Sequence, residues 1–283
     1  MESPTRNGAA GVVLVGGRSS RMGTAKAALE WHGSTLLGRT LGVLARALDG
    51  RLLVVRSPDQ PLPSIPPRAE VVDDPAPGLG PLQGIAAGLA ELVGRAPAAF
   101  ICSTDLPFLH PLFVTRVMSA LTDGFDAVLP VARGYPQPLA AAYRITLAPL
   151  AAELVAAGDL RPPSLLRRCA TLVLDDAALL RDPALADADP GLDSVVNVNF
   201  PQEYHAARDR AAPRVTVVCP ECGAARTVRA ATASEARQAA AAAGLAVGGQ
   251  LAAALNGVPI SGHGDIPLVG GDTIAFACAD AGG

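Results

Sequence analysis

Lys26 is the only lysine in the chain, although arginine supplies positive charge throughout the rest of it. An ammonium is a compact point charge on a flexible stem, whereas a guanidinium is a planar fork. The two exchange freely on solvated surfaces, but not where a cation must reach between closely spaced anionic oxygens. Lys26 closes the stretch Leu14-Val-Gly-Gly-Arg-Ser-Ser-Arg-Met-Gly-Thr-Ala-Lys26, an apolar run leading into a glycine pair. A strand that feeds a glycine turn presents backbone N–H groups unshielded by side chains, which is how many anions are held. Gly16 and Gly17 open the turn, Ser19 and Ser20 add hydroxyl donors, and Arg18 and Arg21 add positive charge. The spacing fits neither the Walker loop nor the dinucleotide fingerprint. A glycine pair alone is compatible with a tight turn of no chemical significance. The solitary lysine is what points to a phosphate ligand.

These residues require a scaffold, and the pattern up to about residue 205 provides one. Short apolar runs at residues 11–17, 51–56, 69–74 and 98–105 alternate with helical stretches at Ser34–Leu48, 80–93 and 110–121. Ser34 is the expected N-cap of the first. Strands that alternate with helices imply an α/β fold with a mostly parallel sheet covered on both faces. Ligands bind such sheets beyond the carboxyl ends of the strands. Gly16-Gly17, Asp73, Asp74 and Asp105 all fall at that edge. For Asp105 the alternative is a cap on the next helix or turn, and for Asp73 and Asp74 an ordinary surface turn.

With 283 residues, half of them hydrophobic, and a net charge of -3, the chain has room for one large domain and one small one. The charge argues against nucleic-acid binding. There is no apolar run of transmembrane length, and the first apolar run leads into the glycine motif rather than to a cleavage site. Five cysteines, an odd number, do not suggest a disulfide framework. A cytoplasmic protein is the expectation. After the Ala/Pro-containing linker Ala206–Arg214, strand-like runs flank a helical stretch at residues 233–245, which predicts a small α+β unit. The division expected is 1–208 and 214–283. Cys219-Pro-Glu-Cys222 reads as half a zinc knuckle or, more simply, as a hairpin turn.

The stretch ending at Lys26 resembles the signature of the nucleotidyltransferase family that includes molybdenum cofactor guanylyltransferase. The segments DDPAPGLGPLQGIAAGL, STDLPFL, YPQPLAAAYR and VNVNFPQEY resemble further motifs of that family, in the same order. The resemblance implies a Rossmann-like nucleotidyltransferase domain that moves GMP from GTP to the phosphate of molybdopterin. It implies catalytic roles for Lys26, Arg21 and Asp105, with Asp105 as the Mg2+ ligand. Nucleotide binding would fall to Leu14, Val15, Gly16, Gly17, Arg18, Ser19, Lys26, Asp105 and one of Asp73 and Asp74. Gln137, Asn197 and Asn199 would lie on the acceptor side. The glycine pair follows the guanylyl form of the loop, and a cytidylyl enzyme is the alternative. The C-terminal segment is similar to the β-grasp (ubiquitin-like) sulfur carriers in Asn256-Gly257, Leu268…Gly271-Asp272 and Gly282-Gly283. That resemblance implies an adenylating or sulfur-transfer enzyme and the large subunit of molybdopterin synthase as partners. A chain that is mainly a carrier or scaffold is the alternative from a different class.

Overall fold

The computed structural model describes residues 8–15, 26–76, 78–221, 223–260 and 266–278. The chain divides into two compact units, residues 1–29 with 35–204 and residues 30–34 with 205–283. Among the described residues no helix is long and apolar enough to cross a membrane.

The elements begin with β1 (Ala10–Leu14), the short strands β2 (Glu30–Trp31) and β3 (Ser34–Thr35), and α1 (Leu36–Ala47). Next come β4 (Leu52–Arg56), β5 (Ala69–Asp73), α2 (Pro81–Glu91), β6 (Ala98–Ser103) and α3 (Pro111–Ser119). β7 (Ala127–Ala132), β8 (Tyr135–Pro136) and β9 (Ala140–Arg144) are followed by α4 (Ala148–Ala156), α5 (Pro162–Arg167) and β10 (Thr171–Asp175). α6 (Asp176–Leu179), α7 (Pro183–Ala188) and α8 (Pro201–Arg208) complete the series before the small unit.

The large sheet runs β10-β7-β9-β6-β1-β4-β5, with β8 paired to β7. β1 pairs in parallel with both β4 and β6, as β4 does with β5 and β7 with β10. Alternate residues of the central strands enter opposite cores, as pleating requires. Val13 and Phe100 face one side, with Leu37, Leu41 and Leu44 of α1. Val12 and Ile101 face the other, with Leu82, Ile85 and Leu89 of α2. α2 lies close on β1 because Gly88 faces it; a Cβ there would stand 2.8 Å from a methyl of Val12. Connections leave β1 toward β4 over one face and return from β5 to β6 over the other. The carboxyl ends of β1 and β6 therefore flank the point where the winding reverses, which is where open α/β sheets form a crevice.

One expectation needs correction. The N-cap of α1 is Thr35 rather than Ser34: the Thr35 hydroxyl accepts from the Gly38 N–H at 3.0 Å. The sheet also carries a reversed strand, since β9 is antiparallel to both β6 and β7. The cause is local. Arg133 and Gly134, both at positive φ, turn the chain tightly after β7, and only three residues separate β8 from β9. A link that short cannot make a parallel crossover.

In the small unit, β11 (Arg214–Cys219), β12 (Ala224–Arg229), α9 (Ala233–Ala242), β13 (Val247–Leu255), β14 (Val258–Pro259) and β15 (Thr273–Cys278) follow in order. Their sheet runs β12-β11-β15-β13-β14, with its first and last strands, β11 and β15, parallel neighbours at the centre. α9 packs Ala236 and Ala240 onto Val215, Val217, Ile274 and Phe276. Cys219 closes the β11–β12 hairpin opposite Ala224. Cys222 lies outside the described residues.

Candidate active site

At the carboxyl edge of β1 and β6 the structure brings together three residues that are distant in sequence. Lys26 begins a short 3-10 turn, Lys26–Ala28, held in place by Ala27, which is buried in the core. The Lys26 Nζ donates to Asn199 Oδ1 at 2.8 Å and lies 3.3 Å from Asp105 Oδ2. The partners are 173 and 79 residues away along the chain. About a fifth of each charged side chain is exposed, 20% for Lys26 and 18% for Asp105, so the pair is neither sealed off nor freely solvated. A ligand can reach it, and the charges are incompletely screened.

Each partner is braced. The Ser103 hydroxyl, at the end of β6, donates to Asp105 Oδ1. The Asp105 carbonyl accepts from the Val198 N–H at 2.9 Å, which lays the 197–199 segment against the loop after β6. Val198 is buried, and its neighbours Asn197 and Asn199 are exposed and half-buried respectively. On the far side of the loop, the guanidinium Nε of buried Arg39 donates to the Pro107 carbonyl. Cys102, the residue before Ser103 in β6, is not a nucleophile. Burial, with the nearby Asp105 charge, pushes its thiol up and keeps it neutral.

The remaining predicted residues are distributed around this edge. Leu14 and Val15 are buried; the Val15 N–H donates to Val55 O at 2.8 Å, and its carbonyl accepts from Gln60 Nε2 at 3.1 Å. Gly16, Gly17, Arg18, Ser19 and Arg21 lie outside the described residues. Asp73 ends β5 and pairs with Arg56 at 2.8 Å. Asp74 instead shapes the turn that follows, its Oδ1 accepting from the Ala76 N–H at 3.0 Å. Gln137 sits in the loop that enters β9, where its amide donates to the Tyr135 carbonyl at 3.2 Å. That loop is tied to the same edge: the Ser103 N–H donates to Leu139 O, and the buried Tyr143 hydroxyl donates to Pro138 O at 2.8 Å. Gly282 and Gly283 lie outside the described residues.

Among the described residues no three carboxylate, histidine or cysteine side chains converge on a metal position. Asp105 alone, with one oxygen on Ser103 and the other toward Lys26, suits a hard cation that takes one carboxylate and completes its shell with phosphate oxygens and water. It does not suit an all-protein cage. Sequence reasoning missed Ser103 and Glu203 as parts of this site. Ser103 carried no distinguishing signal, but a proline at the first helical position with a glutamate two residues on is a readable helix start in Pro201-Gln-Glu203.

Residues 11–177 match the model of the MobA-like NTP transferase domain. A probable molybdenum cofactor guanylyltransferase of Mycobacterium tuberculosis (strain ATCC 25618 / H37Rv) is 36% identical over 201 residues, 70% of this chain and 92% of that protein. One of Mycobacterium avium (strain 104) is 38% identical over 153 residues, covering 53% and 76%. Among solved structures, the molybdopterin-guanine dinucleotide biosynthesis protein A of Archaeoglobus fulgidus aligns with TM-score 0.56 at 23% identity, over 71% of this chain and 97% of that one. A nucleotidyl transferase from Methanothermobacter aligns with TM-score 0.51 at 18% identity, over 72% and 97%. These two support the fold.

The geometry around Lys26 yields a direct prediction. An ammonium fits between the Asp105 carboxylate and the Asn199 amide, and a guanidinium is too broad to occupy the same point. Lys26→Arg should lower nucleotidyl transfer by roughly 100-fold and leave the thermal unfolding curve unchanged. Turnover by this variant at the wild-type rate would contradict the assignment.

Proposed function

Because the chain belongs to the MobA-like NTP transferase family, we propose that its first unit transfers GMP from GTP to the phosphate of molybdopterin, with release of pyrophosphate. The observation that carries this reading is the convergence of Lys26, Asp105 and Asn199 at the carboxyl edge of β1 and β6. In this transfer an oxygen of the acceptor phosphate forms a bond to the α-phosphorus of GTP as the bond to the bridging oxygen of pyrophosphate breaks. The protein's contribution is to align and neutralise anionic oxygens.

In this reading the backbone of Gly16 and Gly17, with Arg18, Ser19 and Arg21, cradles the triphosphate, and Lys26 places its charge among the phosphate oxygens. Asp105 would hold Mg2+, which when bound supplies neutralisation of phosphate charge. One of Asp73 and Asp74 meets the nucleoside. Asn199, Asn197 and Gln137 orient the acceptor, Asn199 already in register with Lys26. The guanine preference rests on the Gly16-Gly17 pair, and the names of the mycobacterial relatives agree with it.

The second unit is proposed to be a β-grasp sulfur carrier acting through Gly282-Gly283, with an adenylating enzyme and the large subunit of molybdopterin synthase as partners. Its support is the strand order, with parallel first and last strands at the centre and α9 packed across them. Two of the residues behind the resemblance, Asn256 and Asp272, are also bonded to each other. Asn256 and Gly257, both at positive φ, turn β13 into β14. The Asn256 amide donates to the buried Asp272 at 2.9 Å and accepts from the Thr273 N–H at 2.8 Å. Asp272 also accepts from the Val269 N–H at 2.8 Å.

The protein incubated with molybdopterin, Mg2+ and each nucleoside triphosphate in turn should release pyrophosphate fastest with GTP and not at all when the metal is chelated. Equal or faster release with CTP would move the enzyme to the cytidylyl branch, and release with none would reduce it to a scaffold. For the second unit, the chain ending on Gly283, incubated with an adenylating enzyme, ATP and a sulfur donor, should gain roughly 16 Da as one carboxylate oxygen is replaced by sulfur. No gain, while a known carrier converts in parallel, removes the carrier role.

A further inference from the structure

Asn199 meets Lys26 through a single amide oxygen, and an amide on a surface segment has no intrinsic reason to hold that orientation. On one side it is held by Val198, buried and donating its N–H to the Asp105 carbonyl. On the other side lies the start of α8. There Glu203 turns its carboxylate back along the helix, and Oε2 accepts from the N–H groups of both Asn199, at 2.7 Å, and Phe200, at 3.1 Å. The Phe200 carbonyl accepts from the Tyr204 N–H at 3.0 Å, so Phe200 caps the helix and Glu203 stands three residues into it. This is the acidic half of a capping box, in which a side chain in the first turn satisfies N–H groups the helix leaves open. One of those two N–H groups belongs to Asn199 itself. The carboxylate therefore fixes the backbone from which the Lys26 ligand projects.

We propose that Glu203 is a positioning residue for the transfer: by binding the Asn199 N–H it holds the Asn199 amide on Lys26 and so sets where the ammonium stands. The inference rests on the reading of Lys26 as the phosphate ligand. Glu203 acts through Asn199 and needs no contact with the reacting atoms. The role requires two accepting lone pairs at the right place rather than a negative charge, and this separates it from a general field effect at Lys26. It is also separable from ordinary helix capping, which stabilises α8 without reference to the lysine.

The chain's one lysine makes the test direct. Protein grown with lysine labelled with 15N at Nζ gives one side-chain signal, that of Lys26. Glu203→Ala should move that signal toward its position in Asn199→Ala, and should lower kcat with GTP about tenfold with KM for GTP little changed. Glu203→Gln keeps an oxygen able to accept both bonds and should retain the wild-type signal and rate. A Lys26 signal unmoved by Glu203→Ala but displaced by Asn199→Ala would overturn the inference and leave Glu203 a helix cap. A Glu203→Gln variant as impaired as Glu203→Ala would also overturn it, since charge would then be the acting property. The labelled-lysine measurement uses no nucleotide. It therefore stands even if GTP is the wrong substrate, and it can fail even if GTP is turned over.

Discussion

The contact between the Lys26 ammonium, the Asp105 carboxylate and the Asn199 amide gathers three segments of the chain at one place, and much of the fold exists to deliver them there. β1 and β6 are central, parallel and buried on both faces, so their polar chemistry is confined to their ends. The winding reverses between them, the position at which open α/β sheets bind ligands. Lys26 arrives on a short turn pinned by a buried alanine, Asp105 on the turn after β6, and Asn199 on a segment hydrogen-bonded to the Asp105 backbone. In the structure the cation has a carboxylate and an amide oxygen as partners.

How far this site was legible in the sequence depended on whether a residue's role is local or relational. Lys26 stood out because its type is used nowhere else in the chain, and Asp105 because a carboxylate ends an apolar run. The parallel strands were readable from their unbroken apolar character, which follows from burial on both faces. The reversed β9 was not, because a strand's direction is set by the length of its connection and leaves no mark in its own composition. Ser103 and Glu203 were missed as site residues for a related reason. Their own contacts are local, Ser103 to Asp105 and Glu203 to Asn199, but the bearing of those contacts on Lys26 exists only after distant segments meet. Asp73 and Asp74 were readable as carboxylates at the carboxyl edge of the sheet, and Gln137 only through the family resemblance; the structure shows them engaged by Arg56, a turn N–H and the Tyr135 carbonyl. Their roles toward a ligand stay with the proposal.

The small unit shows the same division. Asn256-Gly257 enters the sequence reading only through the resemblance, and in the structure it turns β13 into β14 with both residues at positive φ. What the dipeptide did not disclose is that the Asn256 side chain also locks onto Asp272, sixteen residues on, and joins the β13–β14 turn to the start of β15. The Cys219-Pro-Glu-Cys222 stretch reads most simply as a hairpin turn, and strand pairing places Cys219 opposite Ala224 at the end of the β11–β12 hairpin.

The central claim is that Lys26 and Asp105 act as one unit in the transfer step. It is tested most directly by a double-mutant cycle on kcat/KM for pyrophosphate release, comparing Lys26→Met, Asp105→Asn and the combined variant with the wild type. Residues that act as a unit are strongly non-additive. The account predicts that the combined variant is no slower than the worse of the two single variants. Losses that multiply, so that the double variant shows the product of the single effects, would contradict it and separate the lysine from the carboxylate.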